Sequence, residues 1–348
     1  MPIHFNIIIG MNVLVLLSIQ YRDMKKPFLT KFQAATMSSV LLFGTYEGGV
    51  VGFDLEIQSE LDVKLTQIMS TPCHIGCVRS AASAGRYAAT GGTDELINVF
   101  DLAKHSQLGN MGGSVHTSTI TALAVCENPG TLVSGCEDGQ IAITRIKDFQ
   151  TIKSFKGHKS AILGLSIHPS GKMVLSISSD NTLRMWDLTR GTCAAVRTVC
   201  PVKRPNTGRG IVSMAHMDVK YTPEGSRYIL LLPGGKIEIC SSSSVEVAEY
   251  DGGLTAVSPL TEDTFLAGDS KGSLLVLRVH NDSSVSVVSK LDTVHTSRIR
   301  GVARVSESFA ASVCAQGKLV ISRFASSILE EVKALETGMR VTAISSNH

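Results

Sequence analysis

The chain has 348 residues, of which 43% are hydrophobic and 18% charged, and this composition excludes a disordered, collagen-like or coiled-coil protein. The formal net charge is +3, but four bases and one acid lie in residues 1–36, which leaves 29 basic and 29 acidic side chains from Met37 onward. The sequence therefore provides no global basic field for nucleic acid, and any such contact has to come from a local patch.

The eight cysteines are too few for a disulfide scaffold, and most of them lie in apolar or small-residue runs. This pattern predicts reduced cysteines in the core. The closest pair, Cys73 and Cys77, has no second pair or His/Cys cluster nearby that would complete a zinc site. We therefore expect no metal and no cofactor.

At the N-terminus, residues 5–19 form an apolar stretch that is shorter than the ~20 residues of a membrane-spanning helix. A secretory signal carries its positive charge before the apolar run, whereas here three bases follow it between positions 22 and 26. We predict that residues 1–36 are an N-terminal extension outside the fold, with a membrane anchor or targeting segment and a folded segment as the alternatives. The folded domain is then predicted to be residues 37–348.

From Met37 to the C-terminus, one unit of alternating apolar residues recurs, with a turn near its middle. In chain order the turns are centred on Glu47, Asp94, Asp138, Asp180, Gly234, Lys271 and Gln316. Their spacing of 37 to 54 residues is typical of a four-stranded propeller blade of about 40–45 residues.

The two ends of this repeat region predict how the ring of blades closes. Only the extension precedes the first unit, and the run from Gly338 to Ser345 is a strand that no turn follows. Joined in one sheet, these ends complete a blade and remove an open sheet edge. We therefore predict an all-β, seven-bladed propeller over residues 37–348, with the last blade closed by the N- and C-terminal strands.

The best copy of the unit, residues 156–188, contains Gly157-His158 and Trp186-Asp187 and resembles the WD40 repeat. The resemblance implies a buried hydrogen-bond chain of four side chains: His158, Ser176, Asp180 and Trp186. In the weaker copies, the residues at the Trp position are Phe100, Thr144, Cys240, Leu277 and Ser322. Because His74, His116 and His295 share the repeat position of His158, we expect them to be structural rather than catalytic.

The sequence contains no phosphate-binding loop, dinucleotide-binding glycine motif, nucleophile elbow or HExxH motif. We therefore predict that the protein is not an enzyme and has no small-molecule substrate.

The interval between the fourth and fifth turns is the longest, and its excess residues lie around 202–210. This segment carries Lys203, Arg204 and Arg209. Long loops on a rigid scaffold often bind partners, so these bases are candidates for contact with RNA phosphate or an acidic partner. A solvated basic loop is the alternative.

Beyond the generic repeat, residues 115–141 and 165–186 look like the p21-activated-kinase-interacting WD40 protein family, and the resemblance covers roughly residues 37–345. It implies a non-catalytic assembly factor in large (60S) ribosomal subunit biogenesis and rRNA maturation. Such a factor binds proteins of pre-ribosomal particles in the nucleus and nucleolus.

The same resemblance implies two further partners, ribosomal RNA and p21-activated kinase, the latter through negative regulation of its signalling. Members of the family commonly carry a Lys-rich C-terminal tail, whereas this sequence ends at His348 just past the closing strand. The alternative is a signalling or trafficking WD40 scaffold with other protein partners, because fold does not fix function. No membrane partner is expected.

Overall fold

The strands of the protein form seven separate antiparallel sheets, each with four strands. The computed structural model describes residues 38–113, 115–199, 217–242, 244–250, 253–280, 284–325 and 328–347. All the regular secondary structure in these ranges is β-strand, and the sheets follow one another around a ring. The prediction of an all-β, seven-bladed propeller is confirmed, while the predictions for residues 1–36 and for 202–210 lie outside the described residues.

Four blades come from the first part of the chain, and the first of them also takes a strand from the C-terminus. Blade 1 contains β1 (Ser38–Thr45), β2 (Gly49–Ile57) and β3 (Val63–Pro72), together with β28 (Val341–Ser346) from the other end of the chain. Blade 2 contains β4 (Val78–Ala84), β5 (Tyr87–Gly92), β6 (Ile97–Asp101) and β7 (Ser106–Met111). Blade 3 contains β8 (Ile120–Cys126), β9 (Thr131–Cys136), β10 (Gln140–Arg145) and β11 (Gln150–Lys156). Blade 4 contains β12 (Ile162–Ile167), β13 (Met173–Ser178), β14 (Thr182–Asp187) and β15 (Thr192–Thr198).

The remaining three blades repeat this order. Blade 5 contains β16 (Asp218–Tyr221), β17 (Arg227–Leu232), β18 (Lys236–Ser241) and β19 (Val245–Glu249). Blade 6 contains β20 (Leu254–Pro259), β21 (Thr264–Asp269), β22 (Leu274–Val279) and β23 (Val285–Leu291). Blade 7 contains β24 (Ile299–Arg304), β25 (Phe309–Cys314), β26 (Lys318–Ala325) and β27 (Ile328–Glu336). Strands are counted outward from the centre of the ring, so that in blade 1 the first strand is β28 and the second is β1. Each of the seven predicted turns joins the second and third strands of its blade.

Burial changes systematically from the second strand of a blade to the outermost one. Every residue of β9, β21 and β25 is buried, because these strands are covered by neighbouring blades on both faces. The outermost strands β11 and β15 are mostly exposed. The core therefore lies between the blades, and the outermost strands form the rim.

The ring closes through blade 1, where β28 pairs antiparallel with β1 from Leu41↔Ser346 to Thr45↔Val341. The contact continues past the strand end, since the N–H of Val40 donates to Oδ1 of Asn347 at 2.7 Å. This arrangement confirms the predicted closure by N- and C-terminal strands.

Neighbouring blades approach closely where a glycine of a second strand meets the first residue of the next inner strand. A Cβ atom added at Gly135 would lie 2.7 Å from Cγ2 of Ile162. The same contact recurs between Gly91 and Ile120. Equivalent pairs occur at two more interfaces, formed by Gly44 with Val78 and by Gly268 with Ile299. Any side chain larger than glycine would push these blades apart.

The seven cysteines of the described residues are all free. Only Cys136, Cys240 and Cys314 are buried, so the expectation of core positions is wrong for the other four. Cys193 is exposed because it lies on the outermost strand β15. Across the described residues, no helix is long and apolar enough to cross a membrane.

Candidate functional site

One face of the propeller carries all the connections from an outermost strand to the next inner strand, because the strands alternate in direction. His74, His116, His158 and His295 lie in these connections, each four residues before an inner strand. We call this the histidine face. The segment with Lys203, Arg204 and Arg209 lies outside the described residues, but the strand ends that flank it, Thr198 and Asp218, are on this face.

Blade 4 brings together the four side chains of the expected hydrogen-bond chain. Nε1 of Trp186 donates to Oγ of Ser176 at 2.8 Å, and Oγ of Ser176 is 2.7 Å from Nε2 of His158. Nδ1 of His158 is 3.1 Å from Oδ2 of Asp180. Trp186 is 4% exposed and packs against the ring of Phe155 at a centroid distance of 4.8 Å. The chain therefore links the middle of the sheet to the turn at the histidine face.

Asp180 anchors the turn end of this chain as a carboxylate. Partial burial opposes its ionisation, but the hydroxyl of Thr182 and the backbone N–H groups of Lys159 and Thr182 donate to it. These hydrogen bonds hold the pKa of Asp180 at about 2. The group is thus an internally satisfied anion rather than a proton donor at neutral pH.

Blade 2 carries a different network around its histidine. Nδ1 of His74 is 2.9 Å from Oδ1 of Asp94, and Nε2 is 2.9 Å from Oγ1 of Thr90. Nδ2 of Asn98 lies 3.0 Å from Nε2 of His74, and Oδ1 of Asn98 accepts from Gln107 at 2.7 Å. Two amide side chains therefore extend the network in a blade without tryptophan. Asn98 is not among the residues predicted from the sequence, where its signal is a polar residue between two apolar residues of strand β6.

His116 and His295 have a hydroxyl partner but lack the carboxylate contact seen in blades 2 and 4. Their Nε2 atoms lie 2.7 Å from Ser134 and 2.8 Å from Ser312, whereas their Nδ1 atoms are buried without a hydrogen-bond partner among the described residues. Burial lowers the pKa of both imidazoles to about 4. Both rings are therefore neutral at physiological pH.

The position of Trp186 in the other blades holds the residues expected from the repeat. In the strand register Trp186 is opposite Val174, the second residue of β13, and the equivalent partners are Phe100, Thr144, Cys240, Leu277 and Ser322. All five are buried. Within the part of the chain that the structure describes, the buried hydroxyls of Thr144 and Ser322 have no hydrogen-bond partner, unlike the indole of Trp186.

The inner strands of all seven blades line a central channel with a cavity volume of about 240 Å³. Two arginines, Arg79 and Arg300, line this cavity. In the described part of the chain, no group of three or more His, Cys, Asp or Glu side chains is arranged to hold a metal ion.

Comparisons with known proteins agree with this architecture. The family model "WD domain, G-beta repeat" matches residues 110–143 and 149–187. The solved structure of U3-55K superposes with a TM-score of 0.66 at 13% identity, covering 77% of this chain and 84% of that one. Because the identity is so low, this structure supports the fold alone.

Two curated relatives are similar in sequence. A p21-activated protein kinase-interacting protein 1-like of Xenopus laevis is 33% identical over 192 residues, which are 55% of this chain and 48% of that protein. Protein MAK11 of Saccharomyces cerevisiae is 30% identical over 158 residues, 39% of this chain and 38% of that protein. The chain thus spans about half the length, or less, of these relatives. It is a seven-bladed WD40 β-propeller that is similar in sequence to p21-activated protein kinase-interacting proteins.

Proposed function

We propose that the protein is a non-catalytic WD40 scaffold that acts as an assembly factor in large ribosomal subunit biogenesis and rRNA maturation. The observation that carries this proposal is the 33% identity to a p21-activated protein kinase-interacting relative over 55% of the chain. It supports the family resemblance of residues 37–345, which implies a nucleolar role and binding to proteins of pre-ribosomal particles.

The geometry of the described polar networks supports a scaffold rather than a catalyst. The four histidines of the histidine face each contact a hydroxyl of the second strand in their own blade. A general base has to reach a substrate proton, whereas these imidazole rings are buried among side chains of the fold. The surfaces that remain for partners are the two faces, the rim and the channel mouth.

Negative regulation of p21-activated kinase is the second candidate function, and the name of the Xenopus relative favours it. The two functions are compatible, because a propeller has more than one surface for binding proteins. A signalling or trafficking role with unrelated partners is the remaining alternative.

Affinity purification of the tagged protein, followed by identification of bound proteins and RNA, tests the proposal. We expect large-subunit precursors, with their proteins and precursor rRNA, and a nucleolar signal in microscopy. Recovery of p21-activated kinase without ribosomal proteins would favour the second candidate. Recovery of membrane-coat proteins instead would contradict both.

The basic segment offers a more specific prediction. Replacing Lys203, Arg204 and Arg209 together by Ala should weaken co-sedimentation with large-subunit precursors most at low salt. The difference in co-sedimentation between the wild type and the variant should become smaller as the salt concentration rises, because salt weakens the phosphate contacts that only the wild type makes. The matched control replaces three bases in turns on the face opposite the histidine face, namely Lys104, Lys147 and Arg190. Equal co-sedimentation of both variants across a salt series would assign the segment to solvent.

A further inference from the structure

Six of the seven inner strands share an irregularity that points one of their residues towards the channel mouth. In six blades the pairing between the inner and second strands skips one residue near the histidine face, which is a β-bulge. The skipped residues are Arg79, Thr121, Leu163, Thr255, Arg300 and Thr342, and all six line the cavity. A bulge frees a side chain from the regular alternation of the strand, so these residues form a ring at the mouth.

The threonines of this ring are satisfied by the fold itself. Oγ1 of Thr342 donates to the carbonyl of Gly44 at 3.0 Å, and Oγ1 of Thr255 donates to the carbonyl of Ile299 at 2.7 Å. Oγ1 of Thr121 donates to a backbone carbonyl of its own blade, that of Gly135, at 3.3 Å. These hydroxyls therefore stabilise the inner strands and leave little capacity for a ligand.

The two arginines of the ring are not satisfied in this way. Among the described residues, neither Arg79 nor Arg300 has a carboxylate within ion-pair distance, and Nε of Arg300 is buried without a hydrogen-bond partner. A buried guanidinium donor without an acceptor carries a desolvation cost that a bound anion would remove.

Like charges accumulate around Arg300. Burial and the neighbouring charges of Arg298 and Arg79 lower the pKa of its guanidinium. The carboxylate that lines the cavity, Asp218, is 3.6 Å from Lys220, and Glu47, in the turn between β1 and β2, accepts from Arg340 at 2.7 Å. The side of the ring formed by β4, β28 and β24 is therefore an electropositive corner with unused donors.

We propose that the channel mouth on the histidine face is a binding site for an acidic segment of a protein partner, with a carboxylate held between Arg79 and Arg300. Guanidinium groups match carboxylates in geometry and can donate two parallel hydrogen bonds to one of them. This inference rests on the proposed role as a protein scaffold but not on the ribosomal setting.

Two observations favour a peptide over RNA as the occupant. Residues 37–348 carry equal numbers of basic and acidic side chains, so the long-range field that dominates RNA binding is absent. Ile75, in the connection that leads to β4, is 88% exposed and offers an apolar contact to a peptide side chain on the same face.

The site is tested with the purified full-length protein and three fluorescein-labelled probes. These are an octapeptide of alternating Glu and Leu, the matched octapeptide with Gln in place of Glu, and an octauridylate RNA. We expect the Glu peptide to bind and the Gln peptide to bind at least ~10-fold more weakly, since only the carboxylates pair with the arginines. The double variant Arg79→Ala/Arg300→Ala should lose affinity for the Glu peptide by a similar factor.

The control variant is Arg145→Ala/Arg190→Ala, which removes two arginines near the opposite face and should leave the affinity unchanged. A second measurement needs no variant: the Glu peptide should protect Arg79 and Arg300 of the wild-type protein from modification by phenylglyoxal, as read by mass spectrometry. Equal binding of the Glu and Gln peptides, or no protection, would overturn the proposal. Arginine-dependent binding of the RNA that exceeds binding of the Glu peptide would also overturn it, in favour of a nucleic-acid site.

These results are independent of particle association. Failure of the peptide test with normal recovery of pre-ribosomal particles would reject the channel site alone. Arginine-dependent peptide binding without such particles would reject the ribosomal role alone.

Discussion

At the scale of single residues, the network of blade 4 runs in one direction from donor to acceptor. The indole N–H of Trp186 donates to Ser176, so the Ser176 hydroxyl is free to donate to Nε2 of His158. Nδ1–H of His158 then donates to the carboxylate of Asp180. Removing His158 therefore takes away the acceptor of the Ser176 hydroxyl, whereas Asp180 keeps its hydrogen bonds from Lys159 and Thr182.

Trp186→Ala should destabilise the protein by ~3–5 kcal/mol, since it removes a buried ring and the hydrogen bond to Ser176. Trp186→Phe is the control, because it keeps an aromatic ring against Phe155 and loses mainly the N–H donor. We expect Trp186→Phe to cost clearly less. Urea unfolding followed by circular dichroism measures both, and a loss below about 1 kcal/mol for Trp186→Ala would contradict the placement of the ring.

Acid should destabilise the fold through His116 and His295. Burial lowers their pKa from 6.5 to about 4 in the folded protein, so between these values the unfolded chain binds more protons. The contribution of the two neutral histidines to the free energy of unfolding is fully present above pH 6.5. It decreases as the pH falls from 6.5 towards 4, by roughly 3 kcal/mol at most for each histidine. Asp180, with a pKa of about 2, contributes only below this window.

Unfolding midpoints between pH 7.5 and 4.5 measure this dependence. The variant His295→Gln should show a shallower slope than the wild type, because one of the buried histidines whose pKa is lowered is gone. NMR titration of the Cε1 protons gives a direct check, and a midpoint near 6.5 for either ring in the folded protein would contradict the prediction.

At the scale of elements, the interfaces between blades depend on glycines that accept a neighbouring side chain. Gly135→Ala places a methyl group 2.7 Å from Ile162, so blades 3 and 4 have to separate, at a cost of about 1–3 kcal/mol. Gly52→Ala is the matched control, since Gly52 is also a buried strand glycine but its nearest neighbour is 3.4 Å away. Equal thermal midpoints for the two variants would show that the interface yields without cost.

The elements differ in how far the sequence predicts them. The turn at Asp180 is predictable because its residue types mark a chain reversal between apolar strands. The bulges that expose Arg79 and Arg300 are not, because a bulge is a property of two paired strands and requires no particular residue type. Asn98 is partly predictable. The sequence shows a polar residue in an apolar strand, but it does not show the contact with His74, which is 24 residues away.

At the scale of the whole molecule, the described residues alone form a closed ring of seven blades. Every blade, including the one shared by β1 and β28, has four strands from residues 38–347. We therefore propose that the folded domain needs no residue before Met37. A variant that begins at Met37 should melt at the same temperature as the full chain and remain monodisperse. Aggregation, or a markedly lower melting temperature, would show that residues 1–36 pack on the propeller.

Closure by both ends of the chain also sets the order of events during synthesis. Val40 bonds to Asn347, which is added 307 residues later. At about 5–20 residues per second, that delay is roughly 15–60 s on the ribosome. Until the last strand emerges, β1 is an unpaired edge on a nascent polypeptide, available to any strand that a neighbouring chain presents. The newly made protein therefore depends on protection against aggregation until β28 has emerged, and translation that stops before β28 leaves blade 1 with an open edge.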